Sequence, residues 1–235
     1  MRIKLFNPIV LVFLSFCLLI SCKQTPKYSY NEEYFNYYGG AITVTNSSEY
    51  CLLFIDGSIN DEFVPEFNLA LNNLLKRRCN QKIVLLNSNG GNVSIAMKSG
   101  EMIRSLNLNT QIFGKCESAC ILIFIGGKER FVVEGNPFSY TRFGFHQMGI
   151  KTLNEKKCLN ETTISEKMKT SFITYLEKML PKNAANDLYQ LTMSTDCNHL
   201  NNIFITRLVE NKTITQVLPR STFENYPYLQ KLQLR

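Results

Sequence analysis

The chain has 235 residues, 45% of them apolar and 19% charged, a balance that excludes a disordered, collagenous or coiled-coil protein. Lys and Arg number 26 against 19 Asp and Glu, but the short clusters Lys76-Arg77-Arg78 and Lys156-Lys157 have no interleaved aromatics, so they read as solvated faces and not as a nucleic-acid patch. Eight cysteines are too sparse for a small disulfide scaffold, yet they bear on which compartment holds the protein.

Met1-Arg2-Ile3-Lys4 supplies a positive start, and the 12-residue run Ile9 to Ile20 is apolar but short for a bilayer span, which is the pattern of a secretory signal. Leu19-Ile20-Ser21-Cys22 resembles the lipobox of bacterial lipoproteins, in which the Cys thiol carries a diacylglyceryl group. The resemblance implies a signal peptide over 1–21 and a lipid anchor to the membrane at Cys22 in the cell envelope; an ordinary signal peptide cut nearby, or a retained anchor, is the alternative, and all three readings put the domain outside the cytosol. Lys23-Gln24-Thr25-Pro26-Lys27 fits a flexible tether. Removing residues 1–21 leaves 214 residues with an excess of five positive charges, enough for one domain, read here as a tether over 22–45, a domain over 46–220 and a tail over 221–235.

Tyr28 to Tyr38, rich in Tyr and Asn and closed by Gly39-Gly40, reads as linker. Tyr50 to Asp56 is a continuous apolar run, as expected of a strand buried on both faces. Asp61 to Arg78 is a helix with Val64, Phe67, Leu71, Leu74 and Leu75 on one stripe. Lys82 to Asn87 is a second buried strand running into Ser88-Asn89-Gly90-Gly91-Asn92 and a helix over Val93 to Leu106. Thr110 to Gly114 is a short strand, and Cys116-Glu117-Ser118-Ala119-Cys120 opens an apolar helix or strand bounded by Gly126-Gly127. Arg130 to Gly135 and Arg142 to Gln147 read as strands, Met168 to Met179 as a helix stopped at Pro181, and Thr215 to Leu218 as a closing strand. Strands separated by helices of this length predict a largely parallel α/β layer structure.

The chain has only two histidines, His146 and His199, so imidazole chemistry has few places to sit. A serine becomes a nucleophile only when a base takes its proton and paired donors stabilise the tetrahedral oxyanion. Ser118 opens an apolar element, where its hydroxyl and the amide of Ala119 can be presented together. Gly90-Gly91 lets backbone approach a ligand closely, and His146 ends a strand. Singly, these features also describe a helix cap, a tight turn and a structural histidine.

Their order carries more. Asn87-Ser88-Asn89-Gly90-Gly91, then Ser118-Ala119, then Gly127-x-x-Arg130, then Gly144-Phe145-His146-Gln147 resembles the proteolytic subunit of the Clp protease and, more closely, its secreted bacterial relatives. The resemblance spans Tyr50 to Leu218 and implies an α/β ClpP/crotonase-like spiral of β-β-α units. It also implies serine endopeptidase chemistry on polypeptides through an acyl-enzyme. By motif position Ser118 is the nucleophile, His146 the base, and Gly91 and Ala119 the oxyanion hole. Asp196 is the acid, with Asp187 its rival. No cofactor or metal is called for, ring-forming relatives make a homo-oligomer a further expectation, and an exported site has no ATP supply for an unfoldase. Asn89 stands where the family usually has proline, and the polar stretch from Met148 to Thr163 suggests a lid. A catalytically inactive envelope binding or assembly module on the same fold is the alternative function. An acyl-CoA enzyme fits an exported chain poorly.

Beyond Cys17 and Cys22, six cysteines allow 15 pairings, of which Cys51 with Cys79 and Cys158 with Cys197 are singled out. Cys116 and Cys120 bracket Ser118. A disulfide from Cys116 or Cys120 that pins this turn is favoured over a metal site completed by His146, because a second ligand pair at short spacing is missing.

Overall fold

The computed structural model describes residues 31–46, 49–133, 142–151, 156–203 and 205–219; the expected signal segment, Cys22 and the tail over 221–235 lie outside the described residues. The apolar runs form the centre of the sheet: β3 (Tyr50–Gly57), β4 (Gln81–Ser88) and β5 (Asn109–Glu117) pair in parallel. In β3 and β4 successive side chains are buried on alternate faces. Leu53, Ile55, Val84 and Leu86 join the main core, while Leu52, Phe54, Ile83 and Leu85 form a smaller cluster on the other side.

Helices α1 (Phe63–Lys76) and α2 (Val93–Ser105) make the crossovers between these strands. Asn60 accepts the amide of Phe63 at 2.9 Å, and Asn92 accepts those of Ser94 and Ile95 at 2.9 and 3.2 Å, so each start is fixed by a side-chain cap. On α1 the buried stripe is Phe63, Phe67, Ala70, Leu71 and Leu74; Val64 and Leu75, expected on that stripe, face solvent one position away from it.

Two short strands complete the parallel part. β6 (Arg130–Val133) pairs with the beginning of β5, and β7 (Arg142–Phe145) pairs with its end. The closing strand is β11 (Gln216–Leu218), parallel to β6. β1 (Glu33–Tyr37) and β2 (Gly40–Asn46) form an antiparallel hairpin that pairs with β3. The boundary placed at residue 45 is therefore corrected: residues 33–45 belong to the sheet. Phe35 and Tyr37 pack on the core, Tyr37 edge-on to Phe63 at 5.7 Å, and this apolar half of β1 outweighs its loop-like Tyr and Asn composition.

α3 (Cys120–Ile125) is buried along its whole length. Its close neighbour is α2: a Cβ built on Gly126 would lie 2.4 Å from the carbonyl oxygen of Gly100, and one on Gly100 would lie 2.6 Å from that of Leu122. α4 (Glu166–Met179), capped by Ser165, and α5 (Lys182–Met193) pack together on this layer. α6 (Ile205–Glu210) follows the two-residue β10 (Asn201–Asn202), which pairs with β7. β8 (Met148–Lys151) and β9 (Lys156–Leu159) make a separate hairpin in the polar stretch read as a lid.

Two arginines bonded to backbone carbonyls hold the layers. Arg104 donates to the carbonyls of Ile125, Gly126, Gly127 and Met179 at 2.8–3.0 Å, closing the carboxyl end of α3 and fastening α2 and α3 to α4. Arg130, from Gly127-x-x-Arg130, donates to Gly127, Lys128, Lys212 and Thr213 carbonyls, so that motif element serves structure. Burial brings its pKa down to about 10, which still leaves it charged at neutral pH.

Three disulfides, Cys51–Cys79, Cys116–Cys120 and Cys158–Cys197, use all six cysteines after Cys22. Cys51–Cys79 joins the start of β3 to the end of the α1 crossover, 28 residues apart. Closing a loop of that length costs the unfolded chain entropy that amounts to about 3.6 kcal/mol. Cys51→Ala/Cys79→Ala should lower the unfolding free energy by about 3.6 kcal/mol in urea titrations; an unchanged midpoint would contradict the assignment of that stability to the cross-link.

Candidate active site

The parallel strands β3, β4, β5 and β7 end on the same edge of the sheet, where open α/β sheets bind ligands. Their terminal loops are bonded to one another. The loop after β3 meets the glycine turn after β4, with Ile59 N–H donating to Gly90 O at 2.9 Å and Asn92 N–H to Ile59 O at 2.7 Å. β5 and β7 run in register, Glu117 opposite Gly144, and the Ser118 amide donates to Gly144 O at 2.7 Å. Residues 118 and 146 are thus carried to one place by neighbouring strand ends.

Ser118 has φ 54°, in the left-handed region. For a residue with a Cβ this costs about 1–2 kcal/mol, and such conformations collect at functional sites where the surroundings enforce them. The chain then enters α3 through Ala119, and the disulfide Cys116–Cys120 spans the bend. Gly90 (φ 89°) lies directly against it: an added Cβ would come within 2.6 Å of Glu117 O and 2.8 Å of Ala119 N. Among the described residues the amides of Gly91 and Ala119 donate to no protein acceptor, while the Gly90 amide is taken by Ser88 Oγ at 3.0 Å. Two unpaired N–H groups therefore lie in the glycine turn and in the serine turn packed against it.

His146 is partly buried, its Nδ1 2.6 Å from the carbonyl oxygen of Gln147. A carbonyl only accepts, so in the neutral imidazole Nδ1 carries the proton and Nε2 keeps its lone pair. That is the tautomer a general base needs. Gln147 is a supporting residue that no sequence motif marks. Its amide donates to Thr195 O and its side chain to Met193 O, both at 2.8 Å, tying the histidine loop to the end of α5. Ser118 and His146 line one cleft but share no hydrogen bond among the described residues.

The two aspartates occupy different settings. Asp187 on α5 is bound by Arg207 and by Asn211 Nδ2 at 2.8 Å. The Arg207 guanidinium is the main reason its carboxyl lies below its ordinary pKa. Asp196 follows Thr195, so it stands on the segment bonded to the histidine loop. Its Oδ1 accepts the Asn198 amide at 2.9 Å and lies 3.6 Å from His199 Nδ1, while Oδ2 is 3.2 Å from Cys158 Sγ. The Asn198 amide, first of all, lowers its pKa. In this structure neither carboxylate contacts His146.

The cleft, of about 650 Å³, runs between the glycine turn with α2 on one side and the β8–β9 hairpin on the other. Met97, Met148 and Met168 stand along it, adaptable apolar walls that sequence periodicity marks only as core. Beneath Ser118 a narrow pocket is floored by Leu122, Phe145, Phe172 and Leu188. The cysteine groups offer no metal ligands: Cys116 and Cys120 are bonded to each other, as are Cys158 and Cys197 beside Asp196.

No protein-family model matches the chain, and no curated protein matches it by sequence. Solved structures do. ClpP1 from Listeria monocytogenes superposes with a TM-score of 0.52 at 17% identity, over 72% of this chain and 91% of that one. A serine-to-alanine mutant of the 1510-N membrane-bound stomatin-specific protease gives 0.53 at 14% identity, over 74% and 82%. A lysine-to-alanine mutant of that protease, in complex with a substrate peptide, gives 0.53 at 14% identity, over 74% and 76%. The chain therefore has the ClpP-like α/β fold in a single domain, as its motif order implied.

Asp187 has a pH signature. Its folded pKa lies below the ordinary 3.8, so its stabilisation is complete above the unfolded value and is lost as pH falls through the folded one. Melting temperatures recorded from about pH 5 down to about pH 2 should fall less steeply in Asp187→Asn than in the wild type. Parallel curves would contradict this.

Proposed function

We propose that the protein is a serine endopeptidase of the cell envelope. The observation that carries this reading is a left-handed Ser118 flanked by two unpaired amides, with His146 on the adjoining strand end. In the reaction, Ser118 Oγ attacks the peptide carbonyl carbon as His146 Nε2 takes its proton. The oxyanion is held by the N–H groups of Gly91 and Ala119. Collapse breaks the C–N bond, and His146 hands the proton to the leaving amine, leaving an ester on Ser118 that water then cleaves by the same steps.

Asp196 is the proposed acid. In the proposed mechanism the Asp196 carboxylate, on the segment whose Thr195 carbonyl accepts the Gln147 amide, leaves Asn198 and takes Nδ1–H of His146 from the Gln147 carbonyl when substrate binds; catalytic hydrogen bonds commonly tighten only with substrate bound. Asp187 is engaged by Arg207 and is assigned a structural part. Three disulfides fit an oxidising compartment, and with the amino-terminal signal and Cys22 they support an extracytoplasmic, lipid-anchored enzyme that needs no ATP. Among the described residues no helix is long and apolar enough to cross a membrane. Polypeptides are the proposed substrates, and a homo-oligomer remains part of the proposal.

The second reading, a non-catalytic binding module, is favoured by one observation: among the described residues no hydrogen bond joins Ser118 to His146, and Asp196 faces Asn198. A fluorophosphonate probe separates the two. Wild-type protein should be labelled and Ser118→Ala should not; an unlabelled wild type would favour the binding module. Asp196→Asn should slow labelling roughly 100- to 10,000-fold, as loss of the acid does in other triads, whereas Asp187→Asn should leave it unchanged. Gly90→Ala, crowding Ala119 N, should cost roughly 100- to 1000-fold, the loss expected for a disabled oxyanion donor.

A further inference from the structure

We propose that the Cys116–Cys120 disulfide is the positioning element of the nucleophile turn, so that Ser118 reaches its full rate only in the oxidised chain. This rests on the serine peptidase reading and adds the condition under which that site works. The ring closed by the disulfide contains only Glu117, Ser118 and Ala119 between its cysteines. Both the proposed nucleophile and one of the two proposed oxyanion donors therefore lie inside it.

The two anchors are rigid and belong to different elements. Cys116 stands in β5, opposite Ser88 of β4 and Phe143 of β7, and Cys120 is the first residue of α3; both are fully buried. The bond thus joins the sheet to the helix across the bend. Ser118 lacks the features that usually sustain a positive φ: it is neither Gly nor Asn, and among the described residues its hydroxyl bonds to no backbone group that would hold the turn. Its backbone is held by Ser118 N–H to Gly144 O at 2.7 Å and by Ile121 N–H to Ser118 O at 3.1 Å. With the sulfurs apart, the strand is free to run on past Glu117 in an extended conformation, which swings Oγ and the Ala119 amide out of their shared alignment.

The bond forms by thiol–disulfide exchange. The thiols of Cys116 and Cys120 lose two protons and two electrons to a disulfide-bearing oxidant, which leaves as a dithiol. A freshly made chain with both thiols reduced is consequently slowed, about 5- to 30-fold, until it meets an oxidising compartment.

The test is fluorophosphonate inactivation kinetics on the full chain, resolving the maximal rate from the half-saturating probe concentration. In Cys116→Ala/Cys120→Ala the maximal rate should fall about 5- to 30-fold, the population cost of an unsupported left-handed residue, with half-saturation unchanged. Cys51→Ala/Cys79→Ala, less stable but remote from the turn, should keep the wild-type rate. A wild-type rate in the first variant, or equal losses in both, overturns the inference while leaving the peptidase reading intact. A wild type that never reacts overturns both. Should the first variant not fold, wild-type protein partly reduced with dithiothreitol is labelled and its disulfides mapped by mass spectrometry. Labelling about 5- to 30-fold faster in molecules with Cys116–Cys120 closed supports the inference, and equal labelling rates of open and closed molecules overturn it.

Discussion

The cleft depends on one short hydrogen bond, from the Ser118 amide to the Gly144 carbonyl at 2.7 Å. It is the last rung of the β5–β7 ladder, formed just where β5 stops being a strand and bends into the left-handed region. Because the pairing is parallel, both strands deliver their carboxyl ends to the same edge, and residues 28 positions apart in sequence meet without any dedicated connection. A slip of one residue in that register would turn every side chain of β7 to the opposite face and carry His146 away from the serine. The antiparallel β10 on the other edge of β7 resists the slip, as does the Ile203 amide bonded to Phe143 O at 3.1 Å.

Around this rung the fold relies on cations in place of apolar filling wherever helix ends are buried. The carboxyl end of a six-residue helix such as α3 presents orphan carbonyls, of which the following turn takes those of Ile123 and Phe124 through the Gly126 and Gly127 amides. Arg104 gathers the last one, on Ile125, with those of Gly126 and Gly127 and one from α4, and Arg130 does the same for the segment after α3 and the approach to β11. An arginine fits this task because it offers five donors in a plane and stays charged when partly desolvated.

Much of this is legible in the chain itself, and the exceptions have a physical pattern. β3 and β4 are plain because a strand buried on both faces needs an unbroken apolar run. The scarcity of histidine leaves His146 and His199 as the candidates for the proposed base, and two of the disulfide pairs are those singled out from the chain. β1 escapes such a reading because its Tyr and Asn residues suit loops as well as strands, and the choice is made by α1, through Tyr37 on Phe63. The acid is the hardest case. Asp187 lies in the middle of α5 and Asp196 in the turn that follows it, and what separates them is a partner distant in sequence, Arg207 for one and Cys158 for the other. The lid is expected from polarity alone; its form as a hairpin anchored by Cys158–Cys197 needs the tertiary structure.

The contact between Gly100 and Gly126 has a consequence for precision at a distance. Helix α2 begins at the glycine turn and helix α3 begins at the serine turn, so each helix is a lever whose near end carries one of the two unpaired amides. Where the levers touch, the backbones of Gly100 and Gly126 meet directly, and the Tyr175 hydroxyl, bonded to Leu122 O, closes against Gly100 beside them. The gap between the amides is therefore gauged about 10 Å from where it is used, two helical turns down α2. Backbone contact is the least compliant spacer a protein has, since it has no rotamers to change, and a methyl group added there would alter the dimension of the cleft without touching any residue that lines it.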